Sequence, residues 1–378
     1  MLATRPLWQT DASPARPPPL APSAAPAKNG APDADPAAAW RLLRRFEQFN
    51  EAAALQASMV QAGAVLRHDA GSLSGWMALG RARDALADFD RARALFARAE
   101  RVAPASSATA RATADTWLAT GDLDTAWRTL VRAAARAPDD LENTRRLLLL
   151  AHTLEDFGAA DRWAERLENR VTRQAGALAE LARHRYLSGN FDQAVQLSNI
   201  ALRLNLLDRW DADAVFMRIK RDEAIGSGRF SGAIALLRER HAELFADPPR
   251  IVPGNIQQAV DLASLLQGAG ASERADTLLR SAVAAYGQPG FTLGSARTVI
   301  LSARAEALAL LGEERAALTE LERIVDAGWR VQWRWETELN LNFVALRDAP
   351  GFRRLVERIE ADVGVHRERL RAAGLPGA

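Results

Sequence analysis

The sequence predicts an all-α protein built from stacked helix pairs rather than around one closed core. Three observations lead there. Alanines recur at Ala92, Ala126, Ala160 and Ala194 with a spacing of 34 residues, then at Ala233, Ala275 and Ala317 after gaps of 39, 42 and 42. Large apolar residues stand at a fixed distance from most of them: Phe96, Leu130, Leu237, Leu279 and Leu321. Glycine-containing turns interrupt the helical pattern at Gly121-Asp122, Gly189-Asn190, Gly228-Arg229, Gly270-Ala271 and Gly312-Glu313. A period of this length marks a repeat array, in which each unit buries its apolar face only against its neighbours.

In chain order, residues 1–36 stand apart. Nine of the 17 prolines fall there, mixed with alanine, so the segment cannot build a core and is expected to be an extended or disordered tail. It has no basic stretch followed by a continuous apolar one, so no signal peptide is expected. A tether is the plain reading of such a tail, and docking into an aromatic-lined groove the alternative. Residues 37–331 then divide into about eight units. The first, 39–72, is worn and carries Ser58 in the alanine slot. Units beginning at 73, 107, 141 and 175 keep one register. Those near 214–247, 256–289 and 298–331 are set apart by insertions such as Pro248–Gly254. The alanine has a steric reason, because two helices approach to about 8–10 Å only where side chains are small. Gly80 supplies the matching hollow beside Phe96, and Pro104 and Pro138 stop second helices. Residues 332–378 form the expected C-terminal capping helices. From Val356 to Leu370 apolar residues recur every three or four positions among charges, as a cap with a polar outer side requires.

The unit around Ala92 reads Trp76-x2-Leu79-Gly80, Ala92-x3-Phe96-x2-Ala99 and Pro104, and so resembles the tetratricopeptide (TPR) repeat. Only the signature tyrosine is missing, replaced by Arg83. The resemblance implies a TPR α-solenoid, a right-handed superhelix of helix–turn–helix repeats. It also implies a concave groove, lined by the first helix of each pair, that holds a peptide or helix. A second likeness lies at the C-terminal end. Gly328-Trp329-Arg330, Trp333-Arg334-Trp335 and Leu346-Arg347-Asp348-Ala349-Pro350-Gly351-Phe352-Arg353-Arg354-Leu355 resemble the closing segment of TPR sensor domains of proteobacterial winged-helix transcriptional regulators. With no winged helix and no membrane helix in the sequence, that likeness implies at most a free-standing relative of the sensor part.

Composition narrows the function. A formal charge of +2 demands neither nucleic acid nor an anionic membrane as partner. No run of apolar residues is long enough to span a bilayer, so membrane insertion is not expected and the cytoplasm is the default location. Arginine in place of lysine, with abundant alanine, fits a high-GC bacterial genome. With no cysteine there is no disulfide or thiol chemistry. The histidines His68, His152, His184, His241 and His366 never fall three or four apart, and His152 and His184 are expected to point different ways. Gly226–Gly232 half-imitates a phosphate loop but coincides with an interhelical turn. No catalytic residue, metal set or cofactor is assigned, and the chain is read as a non-enzyme.

Carried over by position, the groove candidates are Met77, Arg81 and Asp84, then Arg111 and Asp115, then Glu142, Arg145 and Leu149. Ala179, Arg183 and Tyr186 follow, and Arg218 and Asp222 complete the set. The arginines could form a ladder for an acidic peptide, since a guanidinium fork matches a carboxylate. Against that, arginine is common throughout the chain, and the interleaved acids would tie some of the ladder up. The Lys and Asn of the family's two-carboxylate clamp are absent, with Met77 and Arg81 in their slots. Trp329, Trp333 and Trp335 are read as sealing the junction between last repeat and cap, with an exposed stacking site as the alternative. The leading expectation is a scaffold or adaptor that binds a protein or peptide. The alternative is a sensory or regulatory piece that detects a small molecule or partner.

Overall fold

Sixteen helices follow one another as eight antiparallel pairs in the computed structural model, which describes residues 35–49, 51–169, 174–205, 210–286 and 297–374. Nearly all of the proline-rich tail lies outside these residues, and Pro36 already opens the first helix. The pairs are α1 (Pro36–Phe49) with α2 (Ala52–His68), α3 (Leu73–Ala85) with α4 (Phe89–Val102), α5 (Ser107–Ala119) with α6 (Leu123–Arg136), and α7 (Leu141–Thr153) with α8 (Phe157–Glu168). There follow α9 (Ala175–Leu187) with α10 (Phe191–Arg203), α11 (Trp210–Ser227) with α12 (Phe230–Arg240), α13 (Ile256–Gly268) with α14 (Ser272–Ala285), and α15 (Arg297–Leu310) with α16 (Glu314–Asp326). Among the described residues there is no strand.

The 34-residue register is visible in the helix starts, since α3, α5, α7 and α9 begin at 73, 107, 141 and 175. Side-chain caps fix three of the neighbouring starts. Ser72 accepts from the Gly75 N–H, Ser106 from Thr109 and Asp140 from Glu142, each satisfying an otherwise orphan donor. All seven recurrent alanines are buried. Ser58 takes the alanine's place in the first unit, where its hydroxyl donates to the Ala39 carbonyl at 2.8 Å. The hollow at Gly80 is real: a Cβ there would sit 2.3 Å from the Phe96 ring. The turn glycines Gly121, Gly189, Gly228, Gly270 and Gly312 all adopt positive φ, which a side chain opposes. Ala87 and Glu155 occupy the same turn position without that freedom, at φ 57° and 56°.

Each first helix packs on the next, from α1 on α3 through α13 on α15, so these helices line one face. After α16 the chain turns back over that face as α17 (Trp333–Glu336) and a 3-10 turn (Leu341–Leu346), and then runs on as α18 (Pro350–Ala372). The 3-10 turn lies on α15, while α18 packs on α16 and also on α6. Third and eighth units therefore meet. Gly328 and Gly121, both at positive φ, are so close that a Cβ on Gly121 would lie 2.7 Å from the Gly328 carbonyl oxygen. One continuous apolar core runs from Ala114 to Leu370, and a second joins α11 to α15. The first two units hold only three small clusters of their own.

Candidate functional site: the concave face

Over units four to eight the concave face is filled by the chain itself. Trp329, Trp333 and Trp335 are each buried to within 2% of complete. Trp333 donates its indole N–H to the Thr153 carbonyl, and the backbone N–H of Gln332 donates to Thr153 Oγ1 at 3.0 Å. Trp335 stands edge-on to Tyr186, with ring centroids 4.7 Å apart, and lies under the guanidinium groups of Arg183 and Arg218. Arg218 also holds Glu336 at 2.9 Å and donates to the Trp335 carbonyl. The tryptophans thus seal more than a junction, because they occupy the inner surface where a ligand would otherwise lie.

The residues expected to line the groove fall into two groups. Arg145, Leu149, Arg183, Arg218 and Asp222 are buried, and Tyr186 is half-buried beneath Trp335. A chain of ion pairs links them: Arg145 to Glu142 at 2.6 Å and to Glu180 at 3.2 Å, and Glu180 to Arg183 at 2.7 Å. Tyr186 donates to Asp222 at 2.9 Å, and Asp222 pairs with Arg221. Burial and the Asp222 carboxylate both push the Tyr186 hydroxyl upward, so it stays protonated.

On α3 and α5, ahead of the region that the C-terminal segment fills, Met77, Asp84 and Asp115 are buried as well, and Arg81 and Arg111 are half-buried. Met77 accepts from the Thr109 hydroxyl. Arg81 bridges Asp115 at 3.0 Å and Asp84 at 3.8 Å, and Arg146 holds Asp115 from the other side. Arg111 is paired with Asp140 at 2.5 Å and Asn143 at 3.2 Å. The arginine series is therefore matched by the array's own carboxylates. The side chains of Arg81 and Arg111 keep 24% and 18% of their surface in solvent, enough to touch a partner but not to offer an unpaired charge.

Position in the repeat does not foretell the acids that complete these networks. Glu180, Asp261 and Glu306 are buried on first helices, and their only sequence signal is a charge inside an otherwise apolar run such as Ala259-Val260-Asp261-Leu262-Ala263. One expectation is overturned. His152 and His184 face each other across the α7–α9 contact, Nε2 to Nδ1 at 3.0 Å, although they stand 32 residues apart and so are not equivalent in the 34-residue register. Burial, with the neighbouring His184 and Arg183, pulls the His152 pKa down to about 3.

A second His-containing group joins the C-terminal helix to the third unit. Asp122, Asp124 and His366 each place a ligand atom within 4.8 Å of the others. Here Asp122 already caps α6, and Asp124 has His366 at 2.5 Å, Arg128 at 3.3 Å and Arg369 at 3.7 Å. Burial raises the Asp124 carboxyl, and the His366 hydrogen bond with the nearby arginines more than offsets that rise. The negative charge is already neutralised by side chains, so the group acts as an ion-paired latch and not as a metal centre.

No protein-family model and no curated protein matches the chain. Among solved structures it is similar to a tetratricopeptide repeat protein from Parabacteroides merdae, with 13% identity and a TM-score of 0.46 over 72% of this chain and 99% of that one. It is also similar to the APC/C hetero-tetramer Cut9-Hcn1, with 12% identity and a TM-score of 0.43 over 84% of this chain and 48% of that one. For Naa15/Naa10 bound to HypK-THB the values are 15% and 0.33, over 86% and 46%. Scores this low carry no weight on function, and the helical-repeat architecture rests on the chain's own geometry.

Proposed function

We propose that the chain is a non-enzymatic protein-interaction module whose binding face is the concave surface of its first three units. One observation supports this reading: inner helices α7 to α15 are covered or internally paired, whereas among the described residues no segment from the C-terminal end is laid across α1, α3 and α5. Arg44 and Glu47 are exposed on α1, and Arg81 and Arg111 continue the same face half-buried. A polar surface on which Arg81 and Arg111 already hold carboxylates favours a partner that brings matched polar groups and an apolar anchor, rather than a purely acidic peptide. A sensory role for the same face differs only in what it holds.

The test is capture of a defined partner by the full chain and by an Arg44→Glu, Arg81→Glu double variant, with helicity followed by circular dichroism. At least a tenfold loss of affinity is expected, about 1.4 kcal/mol, while the spectrum stays helical. Equal binding by both proteins removes this face from consideration. Arg145 is unsuitable for such a test, because reversing its buried charge would break the network that it shares with Glu142 and Glu180.

A further inference from the structure

The interior of the filled region holds more negative than positive charge, and the surplus is concentrated at one point. Six charged side chains are buried there together: Arg218 and Arg221 against Asp222, Asp261, Glu306 and Glu336. Arg218 is matched by Glu336, and Arg221 by Asp222 at 2.7 Å and Asp261 at 2.6 Å. Two cations thus face four carboxylates, and among the described residues no ion pair reaches Glu306. An uncompensated pair of buried charges is not stable in a protein interior, so something must neutralise it.

A second, independent observation says what kind of species fits. Gln257 from α13 and Asn342 from the 3-10 turn both donate amide N–H groups to Glu306 Oε2, at 3.0 and 2.7 Å. Gln257 also donates to Asp261 Oδ1 at 3.4 Å, so the four side chains meet. The second carboxylate oxygens, Glu306 Oε1 and Asp261 Oδ2, and the amide oxygens Gln257 Oε1 and Asn342 Oδ1 are buried and accept from no donor among the described residues. Two carboxylates and two amide carbonyls, on side chains linked by these hydrogen bonds, thus offer free oxygens only, the donor type that suits a hard cation. Water could satisfy the lone pairs but not the charge. Ca²⁺ suits such a set better than Mg²⁺, which gives up its hydration water reluctantly.

We propose that Asp261, Glu306, Gln257 and Asn342 bind one Ca²⁺ ion, which fastens the C-terminal segment to units seven and eight. The ion would join α13, α15 and the 3-10 turn at a single point and balance the surplus charge. Its rival is protonation of the same carboxyls. Burial raises both groups, Asp261 to about 6, against the lowering effect of Arg221 and Arg218.

The experiment uses the full chain, stripped with a chelator and dialysed at neutral pH against Ca²⁺, with metal content and thermal midpoint as readouts. One Ca²⁺ per chain is expected, together with a rise of several degrees in the midpoint that chelator reverses. Glu306→Gln removes one carboxylate and should weaken Ca²⁺ binding at least about tenfold. Because it also removes surplus charge, this variant should melt no lower than the stripped parent. Asn342→Leu, which deletes an oxygen but no charge, is the second variant and should also weaken Ca²⁺ binding. A midpoint indifferent to Ca²⁺ that climbs as the pH falls from 8 towards 5 would overturn the proposal in favour of protons. A midpoint indifferent to both would overturn it as well.

Discussion

Units one to three differ from units four to eight in how their inner surface is used. In the larger part the chain returns over its own concave face, and the last helix reaches the third unit through His366–Asp124 and the fourth through Arg367–Glu155. Its core forms two large clusters, and its inner charges are paired across sequence separations of more than a hundred residues, as in Arg218–Glu336. The first two units make only neighbour contacts. A repeat array gives every unit the same opportunity, and the C-terminal segment decides which units use it. The difference teaches that an inner face in this architecture is either a structural seam or a binding surface, according to whether the chain itself covers it.

That contrast can be broken by experiment, beginning with the largest effect. Trp333→Ala should cost about 3–5 kcal/mol in urea unfolding, the range for deleting a buried aromatic side chain, and should loosen the closure along with the core. A cost under about 1 kcal/mol would mean that the segment is not part of the folded core. Acid should weaken the larger part next. His152 is held neutral with its pKa near 3, against an ordinary 6.5, so the unfolded chain takes up the proton first as pH falls. The stability it contributes is complete above pH 6.5 and is lost as pH falls towards 3. Relative to a His152→Gln variant, the parent should lose about 3 kcal/mol between about pH 7.5 and about pH 4.5. Parallel pH profiles for the two proteins would remove His152 as the cause.

Smaller effects sharpen the comparison. Gly121→Ala places a side chain on a positive-φ residue, 2.7 Å from the Gly328 carbonyl, and should cost about 1–3 kcal/mol while loosening the closure. Ala126→Leu tests helix-pair packing within the same unit and should cost about 1–3 kcal/mol through overpacking. In the first two units Ser72→Ala should remove one helix cap, worth about 1 kcal/mol, and leave the larger part untouched. Hydrogen exchange reads the division directly: α1 to α4 should open below the free energy that protects α7, α9 and α13. Equal protection throughout would show that the two regions unfold as one.

Much of the architecture was legible in the residues because it is local. The 34-residue beat of alanine, the hollow at Gly80 and the turn glycines each report a contact within one helix pair, and such a contact requires small or φ-permissive residues at fixed spacing. The inner face was legible only as a set of positions. Met77, Arg81 and Arg111 lie on first helices, but nothing in their spacing says that Asp115 and Asp140 already hold the two arginines. His152 and His184 were expected to point apart because levels of neighbouring helices cannot be judged without the packing.

By itself, then, the sequence determined the helix pairs, their order and the small residues that let them nest, since these follow from steric limits between residues close in the chain. Only the tertiary structure decided that Trp335 and Glu336 meet Arg218, that Gly328 meets Gly121, and that Asn342 joins Gln257 on Glu306. Those meetings join residues far apart in the chain. They depend on where the accumulated rotation of eight stacked units carries the last one, and no local pattern records that sum.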